Sequence, residues 1–411
     1  MTDATLELTI TGLGHRGDGL ADGPDGPLFV AGALPGERVR ARVAGQRATM
    51  VDLLQPSPER ITPVCRHVER CGGCNVQHLA PDPYLAWKRD LVIEALADRG
   101  IAAEVGATVA ARPATRRRAA LTAVRAGHKI LLGYHEKASH RLVDVTECPV
   151  LVPAITAALP GLKTLAAALM PRRGEVRIAV LASEAGLDVA VGNAAPGTEK
   201  KLVALTALAA DLDLARLSVD GETIVERRAP VLTMGRASVV PPPGAFTQAT
   251  AEAETALAGL VAQALGPAKR AADLFAGIGT FTLRMAETAS VHAVEAEAAA
   301  LAALDRAIRV PRGLKQVTLE RRDLFRRPLM AAELAPFDAV VFDPPRAGAQ
   351  AQAEQLAQSR VARIAAVSCN PATLARDLRI LIDGGYRLLS VTPVDQFLFS
   401  THVEAVAALE R

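Results

Sequence analysis

The sequence predicts an α/β protein in three parts: a small β-barrel over residues 1–56, a central α+β domain over 57–245, and a doubly wound sheet over 246–411. Three observations carry this. The first 56 residues alternate in short strand-like runs broken by Gly, Asp and Pro. From about residue 250, short apolar runs alternate with helical patterns, the signature of a parallel sheet covered on both faces. Between them the two rhythms mix. With 411 residues, 50% of them hydrophobic, the chain can bury two or three cores.

In order, "TLELTITGLG", "GLADGPDGPLFVAG" and "ERVRARVAGQRATMVDLL" read as short strands and turns. "QPSPERITP" is a connector, and a cysteine-rich stretch follows. Residues 82–100 place apolar side chains at helical spacing and end on Gly100, as an amphipathic helix does. "AALTAVRAGHKILLGYHE" and "VRIAVLASEAGLDVAVGN" read as hairpins, and "PAITAALPGLKTLAAALM" and "TEKKLVALTALAADL" as helices. A helix over 251–265 opens the last part. Strand and helix then alternate through "RAADLFAG", "FTLRMAET", "SVHAVEA", "EAAALAALDRAI", "VTLERRD", "FDAVVFDPP", "AQAEQLAQS", "RIAAVSCN" and "PATLARDLRILIDGG". "YRLLSVTPVDQF" and "HVEAVAALE" finish as two strands with no helix between them.

Composition narrows the function. A net charge of +3 permits a nucleic-acid partner without arguing for one. An aromatic content of 3% speaks against broad base stacking. No apolar run reaches the roughly 18 residues of a membrane span. The N-terminus lacks a basic region followed by an apolar stretch, so a cytoplasmic location is expected. There, cysteines are more often ligands or nucleophiles than disulfide partners. A monomer is expected.

In an open α/β sheet, ligands bind beyond the carboxyl ends of the strands. Four polar stretches fall there. In "DLFAGIGTFTL", Gly277 and Gly279 follow a strand and let backbone approach a ligand; a plain tight turn is the other reading. Glu295 ends the next strand, where a carboxylate can accept both ribose hydroxyls, or simply face solvent. The pair suits a nucleoside held by its ribose, S-adenosylmethionine rather than NAD. In "VVFDPPRAG" two prolines stiffen the turn after Asp343. In "VSCNPATLARDL" Cys369 precedes a helix starting near Pro371. A helix N-terminus favours negative charge by roughly 0.3–1 kcal/mol, which predicts help in forming a thiolate. A buried structural cysteine is the alternative. Methylation of a pyrimidine C5 needs such a sulfur, because C5 is a poor nucleophile until something adds at C6. A base must then remove the C5 proton, and Glu404, in "THVEAV", is the candidate.

Taken together, "DLFAGIGTFTL", "FDPPRAG", "SCNPATLARDL" and "THVEAV" resemble the S-adenosylmethionine-dependent RNA 5-methyluridine methyltransferases across the whole C-terminal region. The resemblance implies a Rossmann-like methyltransferase sheet. It implies Cys369 as nucleophile, Glu404 as base, Phe275, Gly277, Gly279 and Glu295 at the cofactor, and Asp343 beside the target base. Gln248 matches a glutamine that contacts the cofactor and substrate region. Thr250 stands where the family usually shows an asparagine, so a supporting contact differs.

The other four cysteines are Cys65, Cys71 and Cys74, in "CRHVERCGGC", and Cys148, in "ECPV". Four thiolates suit zinc or an iron–sulfur cluster. Only one Cys-x2-Cys pair is present, whereas zinc sites usually show two. The family's cluster-bearing subgroup has this same spacing, which implies a [4Fe–4S] cluster. His67 and His78 read as solvated loop histidines. The N-terminal segment, with "ITGLGHRGDGLA", is similar to the OB-like, RNA-binding TRAM domain. Arg38, Arg40, Arg42 and Arg47 there suit phosphates or a solvated face equally. The resemblance leans toward 23S ribosomal RNA as substrate. Transfer RNA, methylation of a purine nitrogen and a non-catalytic RNA-binding role are the alternatives.

Overall fold

The computed structural model describes residues 4–137 and 139–411. Five strands close the N-terminal barrel: Ala4–Leu13, Gly19–Gly23, Gly26–Ala31, Arg47–Gln55 and Arg38–Ala44. The first strand seals against the last from Ala4↔Val43 to Thr9↔Arg38. Alternate residues point inward, so Leu8, Ile10, Val30, Val39 and Ala41 form the barrel core. On the outer face Arg38 pairs with Glu7, and Arg40 with Glu7 and Asp52. Two of the four candidate phosphate-binding arginines thus already have carboxylate partners.

The middle segment builds a seven-stranded sheet in the order Glu222–Glu226, Arg216–Val219, Gly186–Gly192, Glu175–Ser183, Arg118–Ala126, Lys129–His135, Leu142–Asp144. The helices Pro153–Leu169 and Leu202–Asp211 bury Ile155, Leu159, Leu162 and Leu205 against it. One helix of this segment behaves differently. Pro81–Ala97 lays Tyr84, Trp87, Leu91 and Val92 into the core of the C-terminal sheet.

That sheet runs Val317–Arg321, Ser290–Glu295, Arg270–Leu274, Ala339–Phe342, Arg363–Ser368, Glu404–Glu410, Arg387–Val394. Its central strands are buried on both faces, as continuous apolar runs require. Helices Gln350–Ala357 and Pro371–Asp383 cover one face through Leu356, Leu374 and Leu378. Helix Ala251–Leu265 covers the other through Leu257 and Val261. Behind Gly279 the expected helix is a single turn, Thr282–Met285.

Glu404–Glu410 pairs antiparallel with both its neighbours. This reversal matters for chemistry. It brings the first residue of that strand to the edge where the other strands of the sheet end. No helix among the described residues is long and apolar enough to cross a membrane.

Candidate active site

A cleft of about 740 Å³ opens along the carboxyl edge of the C-terminal sheet. Gln248, Phe275, Gly277, Glu295, Asp343, Cys369 and Glu404 all line it. The volume lies in the range of small-ligand sites.

The reacting end is set by register. Ser368 pairs with Ala405, so Cys369 and Glu404, one residue beyond each, meet at the sheet edge. Cys369 is held just before the helix Pro371–Asp383, whose N-cap Asn370 accepts a hydrogen bond from the Ala372 N–H at 3.2 Å. The Asn370 amide also donates to the Arg346 carbonyl at 3.1 Å, tying this turn to the Asp-Pro-Pro-Arg turn that carries Asp343. Gln248 Nε2 donates to Asp343 Oδ2 at 3.3 Å.

Burial raises both carboxyls above the usual range. The Gln248 amide opposes the rise at Asp343. At Glu404 the neighbouring Asp343 adds to the rise and Gln396 opposes it. The Cys369 thiol is pushed up to about 11, first by burial and then by Glu404 and Asp343, with Arg346 pulling the other way. The expectation of a helix-assisted thiolate is therefore overturned. Desolvation and two acidic neighbours outweigh a helix start.

The cofactor end follows from the first two strands. Glu295 accepts from the Gly277 N–H at 2.9 Å and the Glu297 N–H at 2.7 Å, which aims its carboxylate along the glycine turn. Gly277 has φ +56°, and a Cβ there would enter open space in the cleft. That is the cradle a nucleoside needs, and the residues fit S-adenosylmethionine. Gly279 does something else. It lies outside the cleft lining, and a Cβ on it would come within 2.5 Å of Leu304. Glycine is required there by the close packing of the turn against Leu304 and Leu283. Phe275 is held at φ 66°, a strained conformation for a phenylalanine, and its ring meets Phe325 at 5.4 Å between centroids. Thr250 caps the helix Ala251–Leu265, its hydroxyl accepting from the Ala253 N–H at 3.0 Å.

Several lining residues were not foreseen. Asp323 and Phe325 follow the strand Val317–Arg321 and line the cleft; a strand-end acid was the available signal. Phe246 stands exposed at the rim with the Arg118 guanidinium 4.9 Å from its ring centroid. Gln396, buried in a loop behind the lining and hydrogen-bonded to Glu404, carried no signal at all.

Cys65, Cys71, Cys74 and Cys148 line a second cavity, of about 310 Å³. All four are free thiols. Burial raises Cys65 and Cys71 and pushes Cys74 up to about 12, with Cys148 adding to the rise at all three. Among the described residues, no three His, Cys, Asp or Glu side chains are grouped so that they could hold a metal ion. His67 lines this cavity and hydrogen-bonds Thr146 at 3.2 Å. His78 is not the solvated histidine expected. It is buried, its Nε2 has no partner among the described residues, and burial pushes it down to about 4.

The order of the C-terminal sheet, its glycine turn and its strand-end carboxylate together define a nucleoside-binding methyltransferase. Residues 241–411 match the family of tRNA (uracil-5-)-methyltransferases. An uncharacterized RNA methyltransferase of Brucella suis biovar 1 is 53% identical over 407 residues, covering 99% of this chain and 98% of that one. The 23S rRNA (uracil(1939)-C(5))-methyltransferase RlmD of Alkalilimnicola ehrlichii is 36% identical, covering 99% of this chain and 96% of its own. In fold, the Pyrococcus abyssi tRNA (uracil-54, C5)-methyltransferase, solved with S-adenosyl-L-homocysteine, superposes with a TM-score of 0.75 at 23% identity, covering 98% of this chain and all of that one. The chain belongs to the S-adenosylmethionine-dependent RNA uracil-C5 methyltransferase family.

Proposed function

We propose that the protein methylates C5 of a uridine in 23S ribosomal RNA through a covalent cysteine adduct. The observation that carries this is the strand register that sets Cys369 opposite Glu404, with Asp343 in the same cleft. Bound S-adenosylmethionine supplies an electrophilic methyl group. The chain's own residues do the rest. With the uridine turned out of its stack, Cys369 gives its proton to solvent and Sγ bonds to C6; the C5–C6 double bond opens into an enolate, which makes C5 able to take the methyl group. Glu404, in carboxylate form, removes the C5 proton, and the sulfur–C6 bond then breaks. Its raised pKa suits a base that must work near neutrality. Asp343 and Gln248 face the base, and Gly277, Glu295 and Phe275 hold the nucleoside. The near-full-length similarity to a 23S rRNA enzyme supports ribosomal RNA as substrate.

Incubating the enzyme with RNA and methyl-labelled cofactor, then mapping the label, tests the substrate; label on transfer RNA alone would reassign it. Cys369→Ala abolishes transfer but keeps cofactor binding, and Glu404→Gln accumulates protein bonded to RNA. Methylation by Cys369→Ala would refute the covalent route.

The reading extends to the second cavity, where Cys65, Cys71, Cys74 and Cys148 would hold a [4Fe–4S] cluster. What supports this is four free thiols lining one cavity, with the Cys65, Cys71 and Cys74 spacing of the family's cluster-bearing subgroup. Iron and acid-labile sulfide analysis of anaerobically purified protein tests it. The barrel Ala4–Leu13 to Arg47–Gln55 would serve as an RNA-binding module.

A further inference from the structure

We infer that Gln396 is the positioning residue of the proton-abstraction step: it aims Glu404 and fixes which way the Gln248 amide faces. This rests on the reading of Cys369 and Glu404 above. Gln396 is 1% exposed, inside the loop between the last two strands in sequence. Every polar atom of its amide is engaged. Its Oε1 accepts from the Ala249 N–H at 2.8 Å. That bond fixes the orientation of the amide, because a backbone N–H can only donate. Its Nε2 must then donate, and it reaches Glu404 Oε2 at 2.7 Å and Gln248 Oε1 at 2.8 Å. With its oxygen so occupied, Gln248 can present only Nε2 to Asp343. One backbone donor therefore orders a chain of two amides ending on two carboxylates.

The loop that carries Gln396 is anchored so that this aim holds. Asp395 accepts from Tyr84 Oη at 2.6 Å and from Lys88 Nζ at 3.2 Å. Lys88 Nζ also donates to the His402 carbonyl, so one buried ammonium holds both ends of the segment from Asp395 to Glu404.

Gln396 supplies the hydrogen bond that opposes the rise at Glu404. The charged and titratable groups around Glu404 are Asp343 and Cys369 in the cleft, with Arg346 and His402 beyond them. None of these donates a hydrogen bond to the Glu404 carboxylate. Without Gln396 the carboxylate would be harder to ionise and free to rotate.

The test uses the full-length enzyme with Gln396→Met, which keeps the volume, and Gln396→Glu, which adds a like charge. Gln396→Met should lower kcat by about ten- to hundredfold, the scale of a mispositioned general base, with KM for RNA and for S-adenosylmethionine unchanged. The acid limb of the kcat profile should move to higher pH in Gln396→Met and further in Gln396→Glu. RNA carrying 5-fluorouridine separates this proposal from the mechanism beneath it. Fluorine cannot leave as a cation, so the adduct is trapped whether or not a base is in place. Wild type and Gln396→Met should trap equally, whereas on ordinary RNA only Gln396→Met should accumulate adduct. Failure of the wild type to trap would overturn the covalent mechanism, and this assignment with it. Normal trapping together with unchanged kcat and an unmoved acid limb in both variants would overturn the role of Gln396 alone.

Discussion

The free enzyme should hold Cys369 as an unreactive thiol, and its alkylation profile can show this. The helix start at Pro371 offers the sulfur roughly 0.3–1 kcal/mol toward a thiolate. Burial and the two carboxylates move it the other way, from an ordinary 9.0 to about 11. At about 1.4 kcal/mol per unit, that outweighs the helix severalfold. At pH 8 the thiolate population falls by about hundredfold, or about tenfold once solvent screening at a half-buried site is allowed for. The assay is iodoacetamide alkylation of the Cys369 peptide, followed by mass spectrometry across pH. The rate should keep rising about tenfold per pH unit beyond 9, because only the thiolate reacts. Glu404→Gln and Asp343→Asn should move the curve to lower pH. Steric hindrance lowers the whole curve without shifting its midpoint, so the two effects separate. A plateau at or below pH 9 would refute the dominance of burial and the two carboxylates over the helix start.

Other consequences follow from the same geometry. Lys88→Met leaves the buried Asp395 without its counter-charge and should destabilise the protein by about 3–5 kcal/mol, read by urea denaturation; Lys88→Met with Asp395→Leu should recover much of it. Gly277→Val forces a branched side chain into the left-handed region and into the cleft, so S-adenosylmethionine binding by calorimetry should weaken at least about tenfold while the RNA affinity of the protein holds. Glu404→Gln should stabilise the fold above pH 5. A carboxyl whose folded pKa is raised binds more protons folded than unfolded, so its contribution to stability declines as pH climbs past the ordinary carboxylate value. Thermal melting of the two proteins at pH 5 and pH 8 should diverge at the higher pH; parallel curves would refute the raised pKa. Serine in place of Cys71 or Cys148 should lower the iron bound per chain and leave the C-terminal cleft able to bind cofactor.

Much of the fold was legible because its signals are local. The strand–helix alternation after residue 250 is a matter of short apolar runs and caps, and the helix Ala251–Leu265 has the bounds its pattern suggests. The gathering of Cys369, Asp343 and Glu295 along one sheet edge was legible because each follows a strand of a parallel sheet. The packing of Gly279 was not legible, since a Gly-x-Gly turn does not say which glycine lies against Leu304. His78 was misjudged for a related reason: a loop position says nothing of what packs over it.

Periodicity, turn residues and cysteine spacing could establish the elements, their order and the chemical groups at their ends, because those depend on neighbours along the chain. Ionisation and alignment could not be read that way. The thiol of Cys369 is set by water lost and by carboxylates from two other strands. Gln396 gains a role only because an antiparallel strand, a buried lysine from a distant helix and one backbone N–H converge on it in three dimensions.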